Sequence, residues 1–157
     1  MIKTQENKKV PVSVIITMRN ASTTLLYTLK SIAKQIYPIK EIIIVDNLST
    51  DNSRELVLQF AQKSKIPIEL LRQKEDRGVS ASFNRGGNVA KSPFIVFMTS
   101  DASLPTNKEL EKLTDSFRED PLVVAAYSQN TLPSFVWNKY NFWQKFYSSR
   151  QVDSTRP

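Results

Sequence analysis

Short apolar runs alternate with amphipathic helical segments along most of the chain, and this alternation restricts the fold more than any other feature. Five runs predict strands of a buried sheet, and they cover residues 12–17, 41–46, 67–72, 94–98 and 122–127. Strands that alternate with helices predict an α/β fold, in which a mostly parallel central sheet has helices on both faces and right-handed crossovers. We therefore expect one Rossmann-like domain over residues 12–133, after a polar N-terminal lead at residues 1–11.

The helices are predicted from apolar residues that recur with the period of an α-helix. The inward-facing sets are Leu25, Leu29, Ile32, Ala33 and Ile36 in the first helix, Leu56, Phe60 and Ala61 in the second, and Leu110, Leu113 and Phe117 in the fourth. A third helix is predicted over residues 80–91, and Pro38 should end the first. Asn52 and Glu55 have the spacing of a capping box. Thr106 and Glu109 have the same spacing before the fourth helix.

Polar residues follow three of the predicted strands at the point where each strand ends. Thr17 and Arg19 lie at the end of the first strand, Asp46 ends the second, and Ser100 and Asp101 follow the fourth. Because parallel sheets bind ligands beyond the carboxyl ends of their strands, we expect these side chains to meet at one rim. One aspartate can accept a hydrogen bond from a nucleobase, and another can bind a cation that neutralises a diphosphate. A single aspartate is more simply interpreted as a turn former or helix cap, so the prediction depends on their recurrence at one edge.

The chain contains neither cysteine nor histidine. This composition excludes disulfides, zinc sites with sulfur or nitrogen ligands, and catalysis by Ser-His-Asp or Cys-His groups. Any bound metal needs oxygen ligands, which favours Mg²⁺ or Mn²⁺.

All three glycines of the chain lie in one segment, at Gly78, Gly86 and Gly87. Glycine permits positive φ angles and a close approach of the backbone to a ligand, and the nearby Arg77 and Arg85 can bind phosphate. The segment matches neither the GxGxxG motif nor the GxxxxGK[ST] loop, so dinucleotide-binding and P-loop proteins lose their main support.

Taken in order over residues 12–133, these segments resemble the nucleotide-sugar-binding part of family 2 glycosyltransferases, which have the GT-A fold. VSVIITMRN is similar to the first strand and turn of that family, and LKSIAKQIYPIKEIIIVDNLSTDNS to its helix, aromatic-proline corner and EIIVVDDGSTD strand. RGVSASFNRGGNVAKSPFIVFMTSDASLP is similar to its GxxxARNxG and YIxFLDxD block. The resemblance implies an inverting transfer of sugar from a nucleoside-diphosphate sugar to a polysaccharide or lipid-linked acceptor, with Mg²⁺ or Mn²⁺ as cofactor.

The resemblance also implies roles for individual residues. Those implied in binding the nucleotide sugar are Thr17, Arg19, Asp46, Arg77, Gly78, Asn84 and Ser100, and the implied metal ligand is Asp101. Within this set, Thr17, Arg19 and Asp46 would contact the base and the ribose. Gly78 and Asn84 would shape the pocket for the sugar diphosphate.

The chain departs from the family pattern at two places. The DxD motif is Thr99-Ser100-Asp101, with one carboxylate, so the diphosphate and water would complete the coordination of the metal. Asn47 stands where the family has a second aspartate. MTSDASLP is closer to the LTQDAxP variant of rhamnosyltransferases, and the SRQ around Arg150 is similar to them too, which implies dTDP-rhamnose as the donor.

Residues 134–157 form a C-terminal segment that is rich in aromatic and basic residues. If this segment is helical, its aromatic side chains surround most of the helix, so another surface should cover them. The family's catalytic base lies downstream of the matched segments, and Asp153 is the one acid after residue 127. We therefore assign no catalytic base, and we expect a truncated chain without the acceptor-side half. The aromatic segment would pack on that half, and membrane docking or homo-oligomerisation are the alternatives.

The net charge of +7 is concentrated at the two ends of the chain, which favours anionic partners, although a solvated basic surface is the simpler interpretation. With no apolar run long enough for a membrane span, we expect a cytoplasmic protein, with contact to the inner membrane face as an alternative. Two other functions compete with sugar transfer. One is a non-catalytic module that binds nucleotide sugar without transfer. The other is a nucleic-acid binder, ranked last because the aromatics cluster in one segment.

Overall fold

A computed structural model describes residues 9–120 and 122–128. The elements are β1 (Val12–Met18), α1 (Leu25–Ala33), β2 (Ile39–Asp46), α2 (Ser53–Lys63), β3 (Ile68–Arg72), α3 (Gly78–Val89), β4 (Phe94–Thr99) and α4 (Glu109–Glu119). The chain divides after Lys112 into two compact units. The first contains the sheet, α1 to α3 and the start of α4. The described part of the second contains the rest of α4 and residues 122–128.

The four strands form one sheet in the order β3-β2-β1-β4, and every neighbouring pair is parallel. This arrangement confirms the predicted α/β class. The register aligns the carboxyl ends of the strands: Met18 pairs with Asp46, and Asp46 pairs with Arg72. On the other side of β1, Thr17 pairs with Thr99. The loops that follow the strands therefore leave the sheet along one edge.

The central strands β1 and β2 are almost completely buried, as their continuous apolar runs predict. Right-handed crossovers from β1 through β2 to β3 place α1 and α2 on one face, and the return from β3 to β4 places α3 on the other. In agreement, α1 contacts α2, and α3 packs on β1 and β2. The core beneath α3 contains Ile15, Ile43 and Val45, with Phe83 of α3 packed against it.

Two helices differ in detail from the sequence prediction. Helix α1 ends at Ala33, so Ile36 lies outside the helix with 51% of its surface exposed. In α2 the fully buried apolar residue is Val57, which was not predicted, whereas the predicted Leu56, Phe60 and Ala61 are half-buried. Asn52 makes no side-chain capping bond.

The cap of α2 comes from the preceding residue, Asp51, whose carboxylate accepts hydrogen bonds from the backbone N–H of Ser53 (3.0 Å) and from its hydroxyl. Before α4, the predicted pair is present, because Thr106 donates its hydroxyl to Glu109. Thr106 Oγ1 also accepts a bond from the backbone N–H of Lys108 at 3.3 Å.

The predicted fifth strand at residues 122–127 is wrong, since this segment has neither strand nor helix structure. Leu122, Val124 and Tyr127 are 84%, 93% and 94% exposed. A strand needs a neighbour for its backbone hydrogen bonds, and the described residues of the second unit contain no strand. An apolar run alone therefore did not produce a strand here.

Residues 1–8 of the predicted polar lead and the aromatic segment at 134–157, with Asp153 in it, lie outside the described residues. The predictions of membrane docking and self-association through that segment are therefore not addressed by the structure. Among the helices that the structure describes, none has the length and apolar character needed to cross a membrane.

Candidate functional site at the carboxyl edge of the sheet

The loops after β1 and β2 are joined by hydrogen bonds and form the base of the rim. Asn20 Oδ1 accepts a bond from the backbone N–H of Thr50 at 2.8 Å, and the backbone N–H of Asn20 donates to Ser49 Oγ at 3.0 Å. The backbone N–H of Ala21 donates to Ser53 Oγ at 2.8 Å. Asn20 and Leu48 both adopt positive φ angles, +50° and +63°, which turn the chain sharply after each strand. These loops therefore fix the positions of the residues between them and the strands, including Arg19 and Asn47.

Asp46, predicted to contact the nucleobase, is completely buried. Its Oδ1 accepts a hydrogen bond from the backbone N–H of Ser49 at 2.9 Å. Its Oδ2 lies 3.8 Å from Nε of Arg54, and neither atom has a hydrogen-bond partner within the described residues. In this structure the carboxylate thus supports the turn after β2, and a ligand would reach it only if neighbouring side chains moved.

Thr17 and Ser100 meet across the β1–β4 pair. The backbone N–H of Ser100 donates to the carbonyl oxygen of Thr17 at 3.1 Å, and Thr17 is 6% exposed. The Ser100 carbonyl accepts a bond from the Thr28 hydroxyl at 2.9 Å, which ties the turn after β4 to α1. Asp101 lies at the exposed tip of this turn, which the bond from Ala102 N to the Thr99 carbonyl closes at 3.2 Å.

The fit of a divalent cation to this turn depends on Asp101. In residues 9–120 and 122–128, no three Asp, Glu, His or Cys side chains are grouped so that they could hold a metal. Mg²⁺ in nucleotide sites is commonly bound by one or two carboxylates, with substrate phosphates and water as the other ligands. The exposed carboxylate of Asp101 fits that mode, in which it would hold a cation already bound to a diphosphate.

Asp76, which is not among the predicted site residues, joins three segments of the rim. Its Oδ1 accepts hydrogen bonds from Asn47 Nδ2 at 2.8 Å and from the backbone N–H of Gly78 at 3.1 Å. Its Oδ2 forms an ion pair with Arg19, which is predicted to contact the base and the ribose. The bond from Asn47, then those from Gly78 and Arg19, lower the pKa of the Asp76 carboxyl, so the group is an anion at neutral pH.

A signal for Asp76 was present in the sequence. An aspartate two residues before a glycine is typical of an Asx turn, in which the carboxylate bonds to the backbone N–H two residues on. Gly78 has a φ of +76°, a left-handed conformation that other residues seldom adopt. The contacts from Asn47 and Arg19 come from distant segments, and no local pattern indicates them.

Arg77 and Asn84 line a cleft of about 440 Å³ along α3. Arg85, also in its wall, is fixed by hydrogen bonds from Nη1 to the carbonyl oxygen of Arg72 (2.6 Å) and to Gln73 Oε1 (2.9 Å). Arg77 is more exposed, and its Nε lies 3.5 Å from Glu75 Oε1.

The predicted site residues fall into three groups: Arg19 and Gly78 around Asp76, Thr17 and Ser100 beside Asp101, and Arg77 and Asn84 in the cleft. Asp46 lies beneath them.

Comparisons with known proteins agree with this geometry. The family described as glycosyl transferase family 2 matches residues 13–157. The glycosyltransferase GlyG of Streptococcus pneumoniae is 33% identical over 96 residues, which are 61% of this chain and 32% of that protein. The Escherichia coli UDP-Glc:alpha-D-GlcNAc-diphosphoundecaprenol beta-1,3-glucosyltransferase WfgD is 33% identical over 97 residues, 62% of this chain and 37% of that protein. The chain thus spans about a third of the length of the curated relatives it matches.

Two solved structures share the fold. The mannosyltransferase PcManGT from Pyrobaculum calidifontis, in complex with GDP-Man and Mn²⁺, aligns with a TM-score of 0.69 and 26% identity over 74% of this chain and 34% of that one. S. aureus TarS 1-349 in complex with UDP-GlcNAc aligns with a TM-score of 0.61 and 25% identity over 69% of this chain and 31% of that one. The parallel GT-A-type sheet, the polar rim and the family match over residues 13–157 agree, and the chain belongs to glycosyl transferase family 2.

Proposed function

We propose that this chain contains the donor-binding part of an inverting glycosyltransferase. The whole protein would transfer a sugar from a nucleoside-diphosphate sugar to a polysaccharide or lipid-linked acceptor. The observation that supports this most strongly is the alignment of β1, β2 and β4, whose register puts Thr17, Asp46 and Thr99 at one edge in a chain of this family.

The donor would lie along that edge. Arg77, 66% exposed, supplies positive charge for the diphosphate. Arg19, whose guanidinium pairs with Asp76, lies beside the base and the ribose. Asn84 and Gly78 at α3 shape the pocket for the sugar diphosphate, and Thr17 and Ser100 form the wall between β1 and β4. Asp46 has an indirect role, because its carboxylate is buried. It bonds to the backbone of the turn after β2 and thereby holds Asn47 in position.

Asp101 would bind Mg²⁺ or Mn²⁺ together with the diphosphate oxygens. The cation supplies charge that stabilises the leaving nucleoside diphosphate. The solved structure of PcManGT contains Mn²⁺ together with GDP-Man, which supports a divalent cofactor. Deprotonation of the acceptor is not assigned to a residue of this chain.

The proposal extends to the identity of the donor sugar. The resemblance of MTSDASLP to the rhamnosyltransferase variant favours dTDP-rhamnose. The names of similar proteins contain UDP-Glc, UDP-GlcNAc and GDP-Man, so the donors of the family are diverse. The lipid-linked acceptor in the name of the WfgD relative supports a lipid-linked acceptor here.

Calorimetric titration of this chain with dTDP, UDP and GDP, each with Mn²⁺ and with EDTA, tests the proposal. We expect one nucleotide to bind, and to bind at least about tenfold more weakly in EDTA, because the cation neutralises the diphosphate. Asp101→Asn should remove this metal dependence. Glu69→Gln, which alters an exposed carboxylate in β3, should leave it unchanged.

Absence of binding by all three nucleotides would contradict the donor-site proposal. Binding without hydrolysis or transfer of the matching nucleotide sugar, in a protein that also contains an acceptor domain, would favour a non-catalytic binding module instead.

A further inference from the structure

A buried oxygen without a hydrogen-bond partner lies at the carboxyl end of β2. Asn47 is 7% exposed, and its Oδ1 has no partner within the described residues. Buried acceptors are nearly always satisfied, and one left unpaired costs about 1–3 kcal/mol. Asn47 immediately follows Asp46, at the edge where ligands of parallel sheets bind. This oxygen therefore indicates a ligand that donates a hydrogen bond.

The orientation of the Asn47 amide is fixed by its other atom. Nδ2 donates to Asp76 Oδ1 at 2.8 Å, and an ionised carboxylate can only accept. The amide nitrogen must therefore face Asp76, so the oxygen faces the opposite way. Asp76 itself is held by the backbone N–H of Gly78 and by Arg19, so its carboxylate cannot easily rotate away.

We propose that Asp76 is a positioning residue that makes Asn47 an obligatory hydrogen-bond acceptor for the nucleobase of the donor. This inference rests on the proposed function. Because the nitrogen of the Asn47 amide is occupied by Asp76, the side chain presents only its oxygen to a ligand, and this oxygen can only accept a hydrogen bond. Because Oδ1 is shielded from solvent, the nucleobase reaches it after neighbouring side chains change rotamer, as is common at binding sites.

The chemical consequence is selection among bases. Uracil and thymine at N3, and guanine at N1, carry a ring N–H that can donate to Asn47 Oδ1. Cytosine and adenine have an unprotonated ring nitrogen at the corresponding place, and two acceptors would then face each other. Nucleotides with a ring N–H should therefore bind well, and CDP and ADP should bind poorly.

The experiment compares the affinities of UDP, dTDP and GDP with those of CDP and ADP, in Mn²⁺, by calorimetry on the full chain. The wild type should prefer its best ring N–H nucleotide over CDP and ADP by at least about tenfold, the size expected when a buried acceptor is left unpaired. Asp76→Asn should reduce that preference to less than about threefold, because either atom of the Asn47 amide can then face the ligand.

Two further variants separate positioning from a general effect on folding. Asn47→Asp combined with Asp76→Asn restores a group that can only accept, so the double variant should recover the preference for ring N–H nucleotides. Glu75→Gln changes the neighbouring carboxylate, which is 73% exposed, and should leave the preference unchanged.

The outcomes are distinct. If none of UDP, dTDP and GDP binds the wild type, both the proposed function and this inference fail. If one of these nucleotides binds, two results would contradict the inference alone. In the first, Asp76→Asn keeps the wild-type preference. In the second, Asp76→Asn lowers all affinities equally and the double variant does not restore the preference, so that Asp76 has a structural role only.

Discussion

Gly86 and Gly87 are neighbours in α3, but their missing side chains face different surroundings. A Cβ atom at Gly86 would lie 2.4 Å from Cγ2 of Ile15 and 3.3 Å from Cγ2 of Val45. Both partners belong to the buried central strands, so neither can move away without disturbing the sheet. A Cβ atom at Gly87 would lie 3.7 Å from Cζ of Phe97, an ordinary van der Waals contact. We therefore expect Gly86→Ala and Gly87→Ala to affect stability with opposite signs.

The size of the effect follows from two terms. Replacing glycine by alanine inside a helix stabilises it by about 1 kcal/mol, and this gain applies to both variants. Overpacking a well-packed core costs about 1–3 kcal/mol, and this cost applies to Gly86 alone. Gly87→Ala should therefore be up to about 1 kcal/mol more stable than the wild type, and Gly86→Ala about 1–3 kcal/mol less stable than Gly87→Ala.

Urea unfolding followed by circular dichroism measures the two free energies under identical conditions. Equal urea dependence of the free energy in the two variants would confirm that they unfold from comparable states. Because the helix-propensity term is common to both, their difference isolates the contact of α3 with β1. A Gly86→Ala variant as stable as Gly87→Ala would refute the close packing of α3 on Ile15.

Two further predictions concern carboxylates that support the sheet and the loops. Glu41 is buried, and although burial raises its pKa, hydrogen bonds from the backbone N–H of Lys91 (2.7 Å) and from the Ser13 hydroxyl (2.9 Å) lower the pKa by more. Glu41→Gln should cost about 1–3 kcal/mol in urea unfolding at pH 7, and an unchanged midpoint would contradict this network. Bonds from Ser53, and then from Ser22, lower the pKa of Asp51 to about 2, so its contribution is complete above its unfolded pKa of about 4 and is lost as the pH falls toward 2. The difference in unfolding free energy between the wild type and Asp51→Asn should therefore shrink between pH 5 and pH 2, and a constant difference would argue against an ionised Asp51 in the cap.

Burial of both faces leaves a direct mark on composition, and this mark identifies the central strands β1 and β2. The edge strands β3 and β4 are only partly buried, yet the observed bounds of all four strands agree with the predicted ones within two residues. The run at residues 122–127 is also apolar, but the described residues of its unit contain no strand, so composition alone gave a wrong prediction there. Whether a strand finds a partner depends on the rest of the fold, whereas the local sequence indicates only how readily the segment is buried.

The position of the site at the ends of the strands could be predicted from the sequence, but the hydrogen bonds within the site could not. Alignment of the strand ends follows from parallel topology, so the meeting of Thr17 with Ser100 could be anticipated. The bond between Asn47 and Asp76 joins residues 29 positions apart, for which the sequence has no periodic signal. The complete burial of Asp46 likewise depends on the fold around it. Arg19 was expected to face a ligand, and in the structure its guanidinium pairs with Asp76.

The strand order has a consequence for synthesis of the chain on the ribosome. Val12 pairs with Ile39 on one side of β1 and with Phe94 on the other. The edge of β1 that pairs with β2 can therefore form its hydrogen bonds early, whereas the opposite edge stays unpaired until β4 is synthesised. At about 5–20 residues per second, the delay before Phe94 emerges is several seconds longer than that for Ile39. During this time the apolar edge of β1 has unpaired backbone groups that can capture a strand of another nascent chain. Translation speed between β3 and β4 should therefore influence the yield of soluble protein, and the half of the rim that contains Ser100 and Asp101 is assembled last.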